Sequence, residues 1–99
     1  VFHMLVTYQQ PSDRDAFLEH YRTSHAVKAQ QMPGLRSYTW GVVDPLDGSA
    51  SDTYLVAQLS FDDKDALLAA MGSPEGQAAS ADMAELPHSG FTMHTYADA

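Results

Sequence analysis

Between Thr53 and Phe61 the chain alternates Leu55, Ala57, Leu59 and Phe61 with Tyr54, Val56, Gln58 and Ser60. A two-residue period marks a strand. Both sets are largely apolar, so this strand needs cover on both faces. The rest of a 99-residue chain has to be arranged around it.

Other strands and two helical stretches flank it. Val1 to Tyr8 is apolar with β-branched and aromatic content and stops at Gln9-Gln10-Pro11, which reads as a first strand. Ser12 or Asp13 then offers a helix N-cap. Phe17, Tyr21, Ser24, His25 and Lys28 follow at spacings of three and four, on one helical face ending before Pro33-Gly34. Leu35 to Val43 reads as a second strand, and Asp44 to Asp52 as an exposed hairpin loop. Asp62-Asp63 caps a helix with an Ala66, Leu67, Ala70 and Met71 stripe, broken at Gly72. Ser73-Pro74-Glu75 restarts a helix that runs through Ala79 and Met83 towards Pro87. Gly90 to Ala97 supplies the last strand.

The order strand, helix, strand, strand, helix, strand predicts an α+β, ferredoxin-like βαββαβ sandwich. Its four-stranded antiparallel sheet carries the helices on one face. The length suits a single domain over residues 1–99. Apolar residues make up 44% of the chain, yet a chain this short buries only about 60–70% of its unfolded surface. A bare sheet face with an apolar central strand therefore predicts a homodimer packed sheet to sheet.

Five Lys plus Arg against 13 Asp plus Glu leave a net charge of −8, which disfavours nucleic acid and anionic lipid as partners. Without cysteine there is no thiolate metal site and no Cys nucleophile. No apolar run approaches the ~20 residues that span a bilayer. No secretory pattern opens the chain either, so a cytoplasmic location is expected.

Phe17, His20-Tyr21, His25-Ala26 and Pro33-Gly34-Leu35 resemble the EthD family in order and spacing, as do Ser73-Pro74-Glu75-Gly76 and Ala81-Asp82-Met83. The similarity runs from His3 to Tyr96. It implies a single EthD-like domain, a dimeric α+β barrel and a catabolic setting. The founding member accompanies a bacterial cytochrome-type monooxygenase system that degrades fuel ethers. Many relatives have Pro-Leu where this chain has Val27-Lys28, a change that leaves a straighter helix and brings a cation near the site. The reductase label common in the family finds no support here, because no Gly-rich dinucleotide fingerprint is present.

Within that resemblance, His25 and Tyr21 are the candidate catalytic pair, His25 as acid or base and Tyr21 as phenolic donor. The plain alternative is a core aromatic with a satisfied hydroxyl and a histidine bonded to a loop carbonyl. If the His3, Leu5 and Thr7 side of the first strand faces the helices, His3 and Thr7 line one cavity with Tyr21 and His25. Phe17 and Lys28 then complete the substrate-binding set, while Phe2, Met4, Val6 and Tyr8 form the dimer face. His20, about 100° round the helix from Tyr21, reads as a boundary residue. Tyr38 and Trp40 read as sheet packing, and His88 as a loop residue. A His3–His94 pair is too weak a signal for a metal, so no metal and no cofactor are expected. Ser24 beside His25 cannot form a nucleophile–base pair on an α-helix. The approximate counterparts of a plant polyketide cyclase Tyr and His are Ala70 and Gly76, which speaks against that mechanism.

Three functions fit these residues. The first is cofactor-independent binding or conversion of a small apolar metabolite, such as isomerisation or assisted oxidation. The others are a non-catalytic carrier of a reactive intermediate and a structural dimer module.

Overall fold

The computed structural model describes residues 1–99. Strand β1 (Phe2–Gln9) leads to Asp13, whose carboxylate accepts from the Ala16 amide at 3.0 Å and starts α1 (Arg14–His20). The helix then widens. Tyr21–His25 forms a π-turn, with the Ala26 amide donating to the Tyr21 carbonyl, before α2 (Ala26–Ala29) completes the segment. Strands β2 (Ser37–Val42) and β3 (Thr53–Phe61) pair as a hairpin across the largely exposed 44–52 loop. Asp63 caps α3 (Lys64–Gly72) and Ser73 caps α4 (Pro74–Glu85), with Pro74 at the first helical position. β4 (Phe91–Ala97) ends the chain.

The sheet order is β2-β3-β1-β4 with every pairing antiparallel, which is the ferredoxin-like arrangement predicted from the element order. β1 and β3 sit at the centre, and the helices cover one face of the sheet. That face carries Met4, Val6 and Tyr8 of β1 against Leu59, Ala57 and Leu55 of β3. Phe17, Tyr21, Ala26, Ala29 and Leu67 close the core from the helical side.

The two faces of β1 are therefore the reverse of the expectation. His3 and Thr7 lie on the bare face, away from the helices, and do not line a helix–sheet cavity. The more uniformly apolar set goes to the chain's own core, where burial stabilises each protomer directly. On the bare face His3 Nδ1 meets Ser60 Oγ at 2.7 Å and His3 Nε2 meets Asp98 at 2.7 Å. Thr7 bonds Thr92, and the Gln58 amide donates to the Tyr96 hydroxyl at 2.6 Å. A bulge opposite Tyr8 and Gln9 turns Tyr54 inward onto Phe17. Val56, Gln58 and Ser60 are left as the outer members of β3, so this face is mixed rather than uniformly apolar.

Candidate functional site

The π-turn decides the site. In an α-helix, residues five apart diverge by about 140°. The i to i+5 hydrogen bonding of a π-turn stacks them instead. His20 and His25 thereby come onto one side of the segment, with Ser24 and Lys28, and all four meet the carboxylate of Asp82 on α4. The Ser24 hydroxyl donates to Oδ1 at 2.9 Å and Lys28 Nζ at 3.1 Å. His20 Nε2 lies 3.1 and 3.2 Å from the two oxygens, and His25 Nδ1 lies 3.0 Å from Oδ2.

Asp82 is only 3% exposed. Burial alone would raise its pKa, but the hydrogen bonds from Ser24, Lys28, His20 and His25 outweigh it and hold the carboxyl at about 2. An ionised carboxylate only accepts, so His25 Nδ1 carries the hydrogen. His25 is itself buried, and burial lowers its pKa despite the opposing pull of Asp82, so the ring is neutral at pH 7. The free lone pair is then on Nε2, which makes no hydrogen bond within the protein. A neutral imidazole oriented in this way is a proton acceptor.

The ring lines a cavity of about 50 Å³ between the helices and the sheet. Its walls include Met4, Val6, Tyr8, Tyr21, Tyr38 and Met83. The Tyr21 and Tyr38 hydroxyls bond each other at 2.7 Å, and the Tyr8 hydroxyl donates to Met83 Sδ at 3.3 Å. Burial pushes Tyr38 up to about 12 and raises Tyr8 and Tyr21 further, so all three phenols stay protonated and can donate. A wider hollow of about 410 Å³ on the bare face, around Leu5, Thr39 and Gln58, holds no titratable group.

Of the six residues singled out from sequence, Tyr21 and His25 line the cavity together. Lys28 sits on Asp82, behind His25. Phe17 is fully buried behind Tyr8 and Tyr21 and does not reach the cavity wall. His3 and Thr7 are on the other face of the sheet. Asp82 and the Tyr38 hydroxyl were missed. Asp82 lay within the family-like Ala81-Asp82-Met83 segment, and that was the available signal.

A family model for the EthD domain matches residues 9–87. The chain belongs to the EthD family. It is 39% identical over 93 residues, 94% of this chain and 90% of the relative, to an uncharacterized 11.0 kDa protein in the thcB-thcC intergenic region of Rhodococcus erythropolis. An EthD family protein from Bacillus halodurans superposes with a TM-score of 0.91 at 29% identity, covering 99% of this chain and 98% of that one. A dimeric ferredoxin-like protein of unknown function from Thermobifida fusca gives a TM-score of 0.75 at 18% identity, covering 97% and 89%. SnoaB, a cofactor-independent oxygenase from Streptomyces nogalater, gives 0.68 at 16% identity, covering 98% and 91%. The last two show the fold alone. No helix of this EthD protein is long and apolar enough to cross a membrane.

The Asp82 cluster makes stability depend on acid. Asp82 is depressed to about 2 from 3.8, so its contribution is complete above 3.8 and is lost as pH falls towards 2. His25 is depressed from 6.5. The unfolded chain therefore binds the His25 proton first, and stability also declines as pH falls below 6.5. The expected result is a urea midpoint that falls on acidification, and falls less between pH 4 and 2 in the Asp82→Asn variant, where only the exposed Asp47 and Asp98 carboxyls stay depressed. A variant as acid-sensitive as the parent in that window would refute this account.

Proposed function

We propose that this EthD protein, taking residues 1–99 as one domain, is a cytoplasmic homodimer. Each subunit binds and converts a small apolar metabolite by general-base chemistry without a cofactor, in an oxidative catabolic setting. The observation that carries the reading is His25, its Nδ1–H held by buried Asp82 and its ring on the wall of an apolar cavity. In this reading His25 Nε2 accepts a proton from the substrate. The Tyr21–Tyr38 hydroxyl pair donates to the oxygen or nitrogen on which negative charge develops. The family match and the dimeric and oxygenase relatives support the setting and the assembly.

The test uses 5-nitrobenzisoxazole, a neutral aromatic with one acidic C–H. A base takes that proton, the N–O bond breaks with its electron pair going to oxygen, and a coloured cyanophenolate forms. His25→Ala is expected to slow this opening by about a hundredfold. Equal rates for the parent and the variant would remove the catalytic reading and leave a carrier.

A further inference from the structure

All five methionines of the chain line the one cavity. They come from five different places: Met4 on β1, Met32 in the turn after α2, Met71 on α3, Met83 on α4 and Met93 on β4. Met4 and Met32 are buried, at 6% and 5% exposure, and form the inner wall. Met71 and Met83 are half-buried and Met93 is 42% exposed, so the outer wall is held less firmly. Thioether side chains are unbranched and polarisable, and they make favourable contacts with aromatic ring edges.

At about 50 Å³ the cavity is too small for a six-membered ring, which takes roughly 150 Å³ in a dry apolar cavity. Rotation of the outer methionines is the available way to open it. Only a few polar groups face the space. His25 Nε2 is a lone-pair acceptor without a protein partner, Tyr21 and Tyr38 bond each other, Tyr8 is engaged with Met83 Sδ, and Ser80 is an exposed member of the wall. No Lys or Arg lines the cavity, and Lys28, three residues on from His25, is bound to Asp82. An anionic ligand would find no counter-charge there. A neutral ligand with one hydroxyl finds an acceptor.

We propose that the methionines form a yielding wall for a small, undissociated phenol. Its ring packs among the Met71, Met83 and Met93 thioethers, and its hydroxyl donates to His25 Nε2. This names the ligand class of the site proposed above and rests on the same neutral His25.

Protein labelled with 13C at the methionine methyls is titrated at pH 7 with phenol, anisole, cyclohexanol and benzoate. Phenol is expected to shift the Met71, Met83 and Met93 methyls and to saturate. Anisole should bind about tenfold more weakly, for want of the donated hydrogen bond. Cyclohexanol should also bind more weakly, for want of the ring, and benzoate should leave the spectrum unchanged. In His25→Leu, which has no acceptor, phenol binding should fall towards that of anisole while anisole binding holds, which also shows that the variant is folded. Phenol that shifts none of the three methyls overturns the inference. So does benzoate or cyclohexanol binding as well as phenol, or an unchanged phenol-to-anisole ratio in His25→Leu. His25-dependent opening of 5-nitrobenzisoxazole alongside any of those results would remove the ligand class and keep the base. Phenol binding as described without such catalysis would keep the ligand class and remove the base.

Discussion

Replacing Gly76 with alanine is expected to destabilise the protein by at least about 3 kcal/mol, a fall in Tm of roughly 15 °C for a chain of this size. Helix propensity alone argues the opposite, because alanine in a helix is favoured over glycine by about 1 kcal/mol. The corner between α3 and α4 reverses the sign. Ser73 donates to the Ala70 carbonyl at 2.6 Å and accepts from the Gly76 amide at 3.0 Å, drawing the two helix ends together. A Cβ on Gly76 would lie 2.0 Å from the Ala70 carbonyl oxygen and 2.9 Å from the Met71 Cα. Both neighbours are backbone, so no rotamer change relieves the contact. Gly72, four residues earlier, is the control: a Cβ there meets nothing within 4 Å. Gly72→Ala should stabilise by about 0.5 kcal/mol. Thermal unfolding of the two variants side by side decides the matter. A Gly76→Ala protein as stable as the parent would mean that the corner opens freely.

The fold was largely legible because its punctuation is local. Asp13, Asp63 and Ser73 cap helices where short polar side chains precede helical periods. The two-residue period from Thr53 to Phe61 marked β3, although both of its sets are largely apolar and the period alone did not say that Leu55, Ala57, Leu59 and Phe61 face the helices. Which face of β1 is inward was not local information. Phe2, Met4, Val6 and Tyr8 alternate with His3, Leu5 and Thr7, and both sets contain apolar residues. Only the pairing of Met4 with Leu59 and Val6 with Ala57 shows that the apolar set joins the chain's own core. The bulge that turns Tyr54 inward likewise depends on how β3 registers against β1.

The site was half legible for a related reason. Tyr21 and His25 are four apart and share a face in any regular helix, so their meeting in the cavity followed from spacing. Ser24 and His25 diverge only on an unbroken α-helix. The π-turn interrupts the helix, and both side chains reach Asp82. Nothing in Tyr21-Arg22-Thr23-Ser24-His25 announces a widened turn, because the carboxylate on which its side chains converge lies on α4. Asp82 in turn reads as an ordinary solvated helix residue until α4 is packed against the turn. The methionine wall was invisible for the same reason, since no two of its members share an element.

Removing the carboxylate should therefore undo the turn and the base together. Asp82→Ala leaves four donors without their acceptor. Lys28 and His20 are partly exposed and return to water, whereas His25 is buried and Ser24 partly so. The expected loss is about 3 kcal/mol. Asp82→Asn keeps the shape and one acceptor oxygen, so it should cost less and remain folded for kinetics. Its amide group facing His25 Nδ1 would donate rather than accept, which moves the ring hydrogen to Nε2. The lone pair is then withdrawn from the cavity. Asp82 thus acts as a positioning residue, and its effect should fall on kcat for 5-nitrobenzisoxazole, roughly tenfold or more, with KM little changed. Loss of the anion also removes the one influence that raises the His25 pKa, so His25 should titrate at still lower pH in the variant. Nitrogen-15 spectra of the imidazole would show both the exchanged tautomer and the shifted titration. An Asp82→Asn protein with the parental tautomer and the parental kcat would show that the carboxylate holds the helices together and has no part in the chemistry.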